Sequence, residues 1–321
     1  MTASANVLQQ AALCVAAHHR IKPYLSPTPI METRQTLRGN TKLFYKAENF
    51  QRTGSFKIRG ALSKLTSQNI EVPIVTASSG NHGLALSTAA QATGHQLTVV
   101  LPETVAKEKL EKIQALGVET ILHSNDAGLA EQYAQALATE TGKVYVSPYN
   151  DAQVIAGQGT IALELLDQLP EVDVVFVSIG GGGLISGIGA VLKSFCPGIR
   201  LVGVSAGNSA ELAASIRAGK SVSVEHTDTL ADGCAGGVDK DSLTLALASE
   251  VVDELIDCSE QAIADGIKTI AWTEKMLVEG SAGLALAPWL ANRQQYQGLT
   301  CAVVLCGSNF DRETIAPVIW Q

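Results

Sequence analysis

Four consecutive glycines, Gly180 to Gly183, stand where an apolar, β-branched run ends and a helical pattern begins. Val172, Val174, Val175, Phe176, Val177 and Ile179 read as a buried strand. Leu184, Ile185, Ile188, Val191 and Leu192 then recur at helical spacing over Leu184 to Phe195. A strand, a loop without side chains and a helix N-terminus make an anion cradle. Backbone N–H groups converge there, the helix dipole favours negative charge, and glycine lets a phosphate come close. A tight turn needing positive φ accounts for one or two glycines, not for this run. The dinucleotide pattern G-x-G-x-x-G is excluded, because counting from Gly181 and Gly183 puts Ser186 at its third position. The P-loop is excluded as well, because Lys193-Ser194 follows Leu192 instead of glycine.

A smaller phosphorylated cofactor held by backbone remains, and pyridoxal phosphate fits if the chain offers a lysine. Lys57 sits in Ser55-Phe56-Lys57-Ile58-Arg59-Gly60, in the first turn of an expected helix. A cation at a helix start is mildly unfavourable, a cost that vanishes if the amine forms a Schiff base or lies beside a phosphate. Taken alone, a lysine is most often a solvated surface residue. A second strand–loop–helix unit strengthens the case: Ile74 to Ala77 as strand, Ser78-Ser79-Gly80-Asn81-His82-Gly83 as loop, and Leu84 to Ala92 as helix. Its N–H groups, hydroxyls and amide suit a carboxylate.

Ser55–Gly60, Ser78–Gly83, Gly180–Leu184 and Cys306-Gly307-Ser308-Asn309 occur in this order. With Leu230–Gly233 and Glu279–Gly283 in support, the chain from about Pro27 to Asn309 resembles the fold-type II (tryptophan synthase β-like) pyridoxal phosphate enzymes, within them the threonine/serine dehydratase and serine racemase group. The resemblance implies an α/β protein of two domains, each an open, mostly parallel sheet with helices on both faces, and the cofactor in the cleft between them. The large domain would comprise residues 1–70 and 148–321, with the small substrate-binding domain, 71–147, inserted in it. It also implies a homodimer.

Carried onto this sequence, the resemblance makes Lys57 the Schiff-base lysine and the general base at the substrate α-carbon. Gly180, Gly181, Gly182, Gly183 and Leu184 would hold the phosphate, Asn81 the ring hydroxyl, and Cys306 would face the ring nitrogen. A neutral thiol cannot keep that nitrogen protonated as a carboxylate would, which suits prompt loss of a β-leaving group. Phe56 either packs against the ring or is core. Gly233 and Glu279 align with the cofactor edge. Ser78, Ser79, Gly80, Asn81 and His82 would bind the substrate carboxylate. Ser79 is either a loop serine satisfying a backbone group or the acid/base on the face opposite Lys57, as a racemase requires. His82 is a structural or carboxylate-binding histidine. Relatives that bind a divalent cation use a carboxylate just after the strand ending Val202-Gly203-Val204; Ser205 stands here and only Glu211 remains acidic nearby, so no required metal is expected.

The leading expectation is an ammonia-lyase converting a β-hydroxy amino acid, such as L-threonine or L-serine, to a 2-oxo acid and ammonia. The alternative is a serine- or aspartate-type racemase using Lys57 and Ser79. A 3-hydroxyaspartate dehydratase, a β-replacement synthase and a non-catalytic phosphate-ligand binding protein rank below these. No appended C-terminal ligand-sensing domain is expected, and with it no feedback inhibition.

The elements that must position these residues alternate. Strands are expected at Thr98–Leu101, Val118–Leu122, Lys143–Val146, Arg200–Ser205, Leu255–Cys258 and Thr300–Leu305. Helices are expected after Pro102 and at Ala127–Thr141, Thr160–Leu169, Glu260–Glu274 and Ser281–Asn292. Such alternation argues for parallel sheets clothed in helices. With 321 residues, 46% of them hydrophobic, the chain can bury large cores. A formal net charge of −8 without a basic run argues against nucleic acid as a partner. The apolar stretch Ala11–Ala17 is too short to span a membrane and lacks a basic leader. Six cysteines without C-x-x-C spacing read as free thiols, and the expected location is cytoplasmic.

Overall fold

The computed structural model describes residues 3–320. Helix α1 (Ala5–Ile21) leads into β1 (Ile30–Glu32), β2 (Lys42–Lys46) and α2 (Lys57–Leu65). The segment β3 (Ile74–Ala77), α3 (Asn81–Thr93), β4 (Leu97–Leu101), α4 (Lys107–Gln114), β5 (Glu119–Leu122), α5 (Ala127–Thr141) and β6 (Val144–Tyr145) follows. The chain continues through α6 (Ala152–Gln168), β7 (Val174–Ser178), α7 (Gly183–Phe195), β8 (Arg200–Ala206), α8 (Glu211–Ala218) and α9 (Leu243–Val251). It ends with β9 (Glu254–Cys258), α10 (Glu260–Thr269), α11 (Gly280–Ala291), β10 (Thr300–Val304) and α12 (Arg312–Trp320).

Two sheets form. One runs β1-β2-β10-β7-β8-β9, parallel except for the antiparallel β1–β2 pair; the other runs β5-β4-β3-β6, parallel throughout. Successive strand residues face opposite sides of the smaller sheet. Ile74 and Val99 accordingly pack with Ile58 and Leu62 of α2 and Leu86 of α3. Val75 and Val100 pack on the other side with Ala130, Ala134 and Ala138 of α5. The larger core gathers Val174 to Val177 with residues of α1, α6, α7 and α11.

Helix α2 lies at the junction of the two units. Its apolar residues join the smaller sheet's core, while Arg59 turns into a buried cluster with Glu48, Glu164 and Lys46. The guanidinium reaches both oxygens of Glu48 (2.7 and 2.8 Å), both of Glu164 (2.7 Å each) and the Thr160 hydroxyl (3.0 Å). The Lys46 ammonium adds bonds to Glu164 at 2.6 Å and to the Thr28 carbonyl at 2.8 Å. Two positive and two negative groups thus compensate one another where water is excluded. Helix α6 approaches α2 at backbone distance: a Cβ on Gly157 would stand 2.3 Å from the Arg59 carbonyl oxygen.

Three expected elements shift. Helix α6 starts at Ala152 instead of Thr160, because Asp151 caps it by accepting from the Gln153 and Val154 N–H groups. Helix α3 starts at Asn81 instead of Leu84. The helix expected through Glu274 loses α geometry at Ile270 and ends in a π-helical turn, which carries buried Glu274 to the Thr33 hydroxyl (2.6 Å), the Arg34 N–H (2.9 Å) and the Tyr45 hydroxyl (3.2 Å). All six cysteines are free thiols. Among the described residues no helix is long and apolar enough to cross a membrane.

Candidate active site

The glycine run leaves β7 and enters α7 with Gly182, at φ +87°, in the N-cap position. No side chain caps this helix. Among the described residues, none of the backbone N–H groups from Gly180 to Ile185 meets a protein acceptor; the first that does is that of Ser186, bonded to the Gly182 carbonyl at 3.0 Å. Such a run of unpaired donors at a helix N-terminus is a site for an anion. The reason for glycine differs from the one expected, since the missing side chains would strike protein. A Cβ would lie 2.8 Å from Cys234 Cα at Gly180, 2.5 Å from the Tyr149 ring at Gly181, 2.4 Å from Leu212 at Gly182 and 3.1 Å from Tyr149 at Gly183. The loop is therefore pressed flat from outside. Leu184, next along, is buried.

A second open helix N-terminus belongs to α3. Gly80 is its N-cap, without a side-chain hydrogen bond, and the Asn81, His82 and Gly83 N–H groups meet no acceptor among the described residues. Ser78 holds the loop by accepting from the Gly80 N–H at 3.2 Å. The Ser79 side chain is half-buried and makes no hydrogen bond with the described residues. His82 is buried, and its Nε2–H donates to the Val146 carbonyl at 3.2 Å. Burial, with the Lys57 charge nearby, brings its pKa down to about 3, so the imidazole is neutral. What His82 presents to a ligand is thus its backbone N–H.

Between the two helix starts lies Lys57. An isolated bridge between Ser55 and Gly307, with the Phe56 N–H donating to the Cys306 carbonyl at 3.0 Å, sets the start of α2 against the end of β10. This brings Lys57 and Cys306, distant in sequence, into one site. The Lys57 ammonium donates to the Pro148 carbonyl at 2.8 Å and lies 5.2 Å from the centroid of the half-buried Phe56 ring. Burial lowers its pKa to about 8, against the opposing pull of Cys234, Cys306 and Glu279. Cys306 is buried and its thiol is held well above the ordinary range by burial and by Glu279, which keeps it neutral.

Glu279 is the hub. Its carboxylate accepts from Asn81 Nδ2 (3.2 and 3.1 Å), from the Asn309 N–H (3.1 Å) and from the Cys306 thiol (3.7 Å). Asn309 in turn donates to Asn81 Oδ1 at 2.7 Å, so the start of α3 is tied across to the end of β10. Burial raises Glu279 to about 7. Gly233 borders it: a Cβ there would lie 2.9 Å from Ser281 Oγ and 3.5 Å from Glu279 Oε1.

Several neighbours escaped the sequence reading. Tyr149, which covers the glycine loop, follows the β6 strand end, where ligands gather in parallel sheets. Cys234 and Ser178 flank Cys306, and Asn309 closes a motif whose first residue alone had drawn a role. Glu211, the one acidic residue near the expected cation position, is engaged already. It accepts from the Val238 N–H at 2.7 Å and from His226 Nε2 at 3.0 Å, and His226 Nδ1 meets the Ser209 hydroxyl at 2.8 Å.

An open anion cradle, a lysine of lowered pKa and a neutral thiol in one site match what pyridoxal phosphate needs from a protein. Comparison with known proteins agrees. The family described as "Pyridoxal-phosphate dependent enzyme" matches residues 21–307. L-threonine ammonia-lyase of Thermotoga maritima is 40% identical over 281 residues, 87% of this chain and 70% of that one. Serine racemase of Arabidopsis thaliana is 37% identical over 305 residues, 92% and 91% of the two chains. Of solved structures, the processed form of threonine deaminase isoform 2 from Solanum lycopersicum superposes with a TM-score of 0.93 at 27% identity, covering 99% of this chain and 89% of that one. The chain belongs to the pyridoxal-phosphate dependent enzyme family, with a threonine ammonia-lyase and a serine racemase among its relatives.

Proposed function

We propose that the protein is an ammonia-lyase that converts a β-hydroxy amino acid, L-threonine or L-serine, to the 2-oxo acid and ammonia. Bound pyridoxal phosphate would supply an electron sink for the substrate α-carbon. Gly180 to Gly183 and Leu184 would hold its phosphate, Lys57 its reactive carbon, and Phe56, Asn81, Gly233, Glu279 and Cys306 the ring. Lys57 Nζ, which burial brings down to a pKa of about 8 in the cofactor-free protein, would take the substrate α-proton as general base. The α3 N-terminus receives the substrate carboxylate through N–H groups of the Ser78-to-His82 loop and the Ser78 and Ser79 hydroxyls. That fixes the α-carbon relative to the lysine. Neutral Cys306 would face the ring nitrogen without keeping it protonated, which favours prompt loss of the β-hydroxyl; the proton that Lys57 takes from the α-carbon balances its departure as water.

The observation that favours elimination over racemisation is the asymmetry between the two candidate acid/base groups. Lys57 has a lowered pKa and an orienting bond to Pro148, whereas the Ser79 hydroxyl has no described side chain or carbonyl to activate it. Incubation with L-threonine, L-serine and L-3-hydroxyaspartate, with 2-oxo acid release and chiral amino-acid analysis, tests this reading. Oxo acid from one of the first two, lost in Lys57→Ala and, in Ser79→Ala, weakened through KM but not abolished, is expected. D-isomer formation that disappears in Ser79→Ala, without oxo acid, overturns it in favour of a racemase.

A further inference from the structure

We propose that Thr244, in the first turn of α9, is the residue that aims the anion cradle; this rests on the reading that residues 180–183 hold the cofactor phosphate. Thr244 is fully buried, and its hydroxyl donates to the Gly181 carbonyl at 2.7 Å. That hydroxyl has one proton to give, and Ser242 leaves it committed. The Ser242 oxygen accepts the Thr244 backbone N–H at 3.1 Å, and the Ser242 hydroxyl proton is directed to Thr244 Oγ1.

The consequence lies in the next N–H. The Gly181–Gly182 peptide is trans, so its carbonyl and its N–H point in opposite directions. With the carbonyl pinned toward Thr244, the Gly182 N–H is turned the other way, into the run of donors that meet no protein acceptor. Gly182, at φ +87°, is wedged on that outer side between Leu212 and Thr244, while the Tyr149 ring bears on Gly181 and the Tyr149 backbone and Cβ bear on Gly183. Tyr149 is itself fastened to the segment leading to α9, its hydroxyl accepting the Asp239 N–H at 3.0 Å. Asn150 adds bonds to Asp239 at 2.8 Å and to the Leu243 N–H at 2.9 Å. Without the Thr244 hydroxyl, the Gly181 carbonyl would have no hydrogen-bond partner among the described residues, and rotating that peptide to satisfy it would set a carbonyl oxygen against the anion. Thr244 is a positioning residue: it acts on the cofactor through the Gly181–Gly182 peptide.

The experiment compares the affinity of the cofactor-free full chain for pyridoxal 5′-phosphate and for pyridoxal, which lacks the phosphate, in wild type, Thr244→Val and Thr244→Ser. Thr244→Val is expected to weaken pyridoxal phosphate binding by roughly tenfold to a hundredfold, the loss of one charge-assisted hydrogen bond, with pyridoxal unchanged. Thr244→Ser, which keeps the hydroxyl, is expected to restore most of it. Equal weakening of both ligands, no weakening, or failure of the serine variant to recover overturns the proposal. Wild type that binds pyridoxal as tightly as its phosphate overturns the cradle reading itself, and the proposal with it. If Thr244→Val does not fold, Ser242→Ala is read by the same ratio: a selective loss for the phosphorylated ligand supports the proposal and an unchanged ratio refutes it.

Discussion

Replacing Arg59 by methionine isolates the group that locks the lysine-bearing helix. In the native chain Lys46 and Arg59 balance Glu48 and Glu164, all with side chains at most 7% exposed. Arg59→Met removes the bonds to both carboxylates and to Thr160 and leaves one buried negative charge without a partner. Breaking a buried ion pair by deleting one member costs about 3–5 kcal/mol, mostly because the remaining charge stays desolvated. The exposed Lys107–Glu111 pair, 86% and 61% open to solvent, is the comparison, and Lys107→Ala is expected to change little. Urea unfolding followed through buried Trp289 would read both variants. Acidification supplies a second arm. In wild type, burial pushes Glu164 up but Arg59 and Lys46 outweigh it and hold it below the ordinary range, so its contribution is present above that range and is lost only as pH falls through its lowered value. In Arg59→Met the orphaned carboxylate binds protons more readily folded than unfolded, so lowering the pH toward 5 stabilises the variant relative to wild type. A variant within about 1 kcal/mol of wild type at pH 8, or a gap that does not narrow in acid, refutes the reasoning.

Four further outcomes are expected. Acetylation of Lys57 in the cofactor-free protein, followed by mass spectrometry across pH, should reach half its limiting rate near pH 8; a midpoint near the ordinary value of about 10.4 contradicts the burial reading. Gly181→Ala, whose Cβ would meet the Tyr149 ring at 2.5 Å, should destabilise by about 1–3 kcal/mol. Gly80→Ala, whose Cβ meets nothing within 4 Å, should cost less, and the reverse order in thermal unfolding would show that the packing has been misread. Dialysis against a chelator should leave activity and melting temperature unchanged, because Glu211 is spent on Val238 and His226; loss restored by magnesium or calcium would disprove this. Glu279→Gln should stabilise the cofactor-free chain above pH 7 but not below pH 4.5, because a carboxyl raised from 4.5 to about 7 costs the folded state roughly 3 kcal/mol once ionised, and that cost accrues as pH rises between those values. Equal denaturant midpoints for the two proteins at pH 5 and pH 8 would refute it.

Legibility in the sequence followed the range of each interaction. The glycine loop and the Ser78–Gly83 loop each join a strand to its own helix, so a local pattern contains the whole device: unpaired N–H groups need only backbone and a helix start. Lys57 was legible as a residue but not as an environment. Its lowered pKa comes from burial, which outweighs the opposing pull of Cys234, Cys306 and Glu279, and that enclosure is built by contacts distant in sequence, among them the Ser55–Gly307 bridge and the pairing of β10 with β7 and β2. Strand β2 was invisible because its two lysines look like surface, yet Lys46 is buried against Glu164, a partner 118 positions away. Gly157 and Gly159 likewise weaken the helical pattern of α6 while being what lets α2 and α1 approach it; a Cβ at Gly159 would stand 2.3 Å from Cys14 Sγ. Thr244 lies furthest from legibility. Nothing in Ser242-Leu243-Thr244 beyond a helix-cap signal hints that its hydroxyl turns a peptide 63 positions earlier. Residues that touch the ligand through backbone can be read from pattern, because the pattern is the backbone. Those that decide which way that backbone faces are set by tertiary contacts, and here they come from β6's exit and α9's entry, two segments that carry no motif of their own.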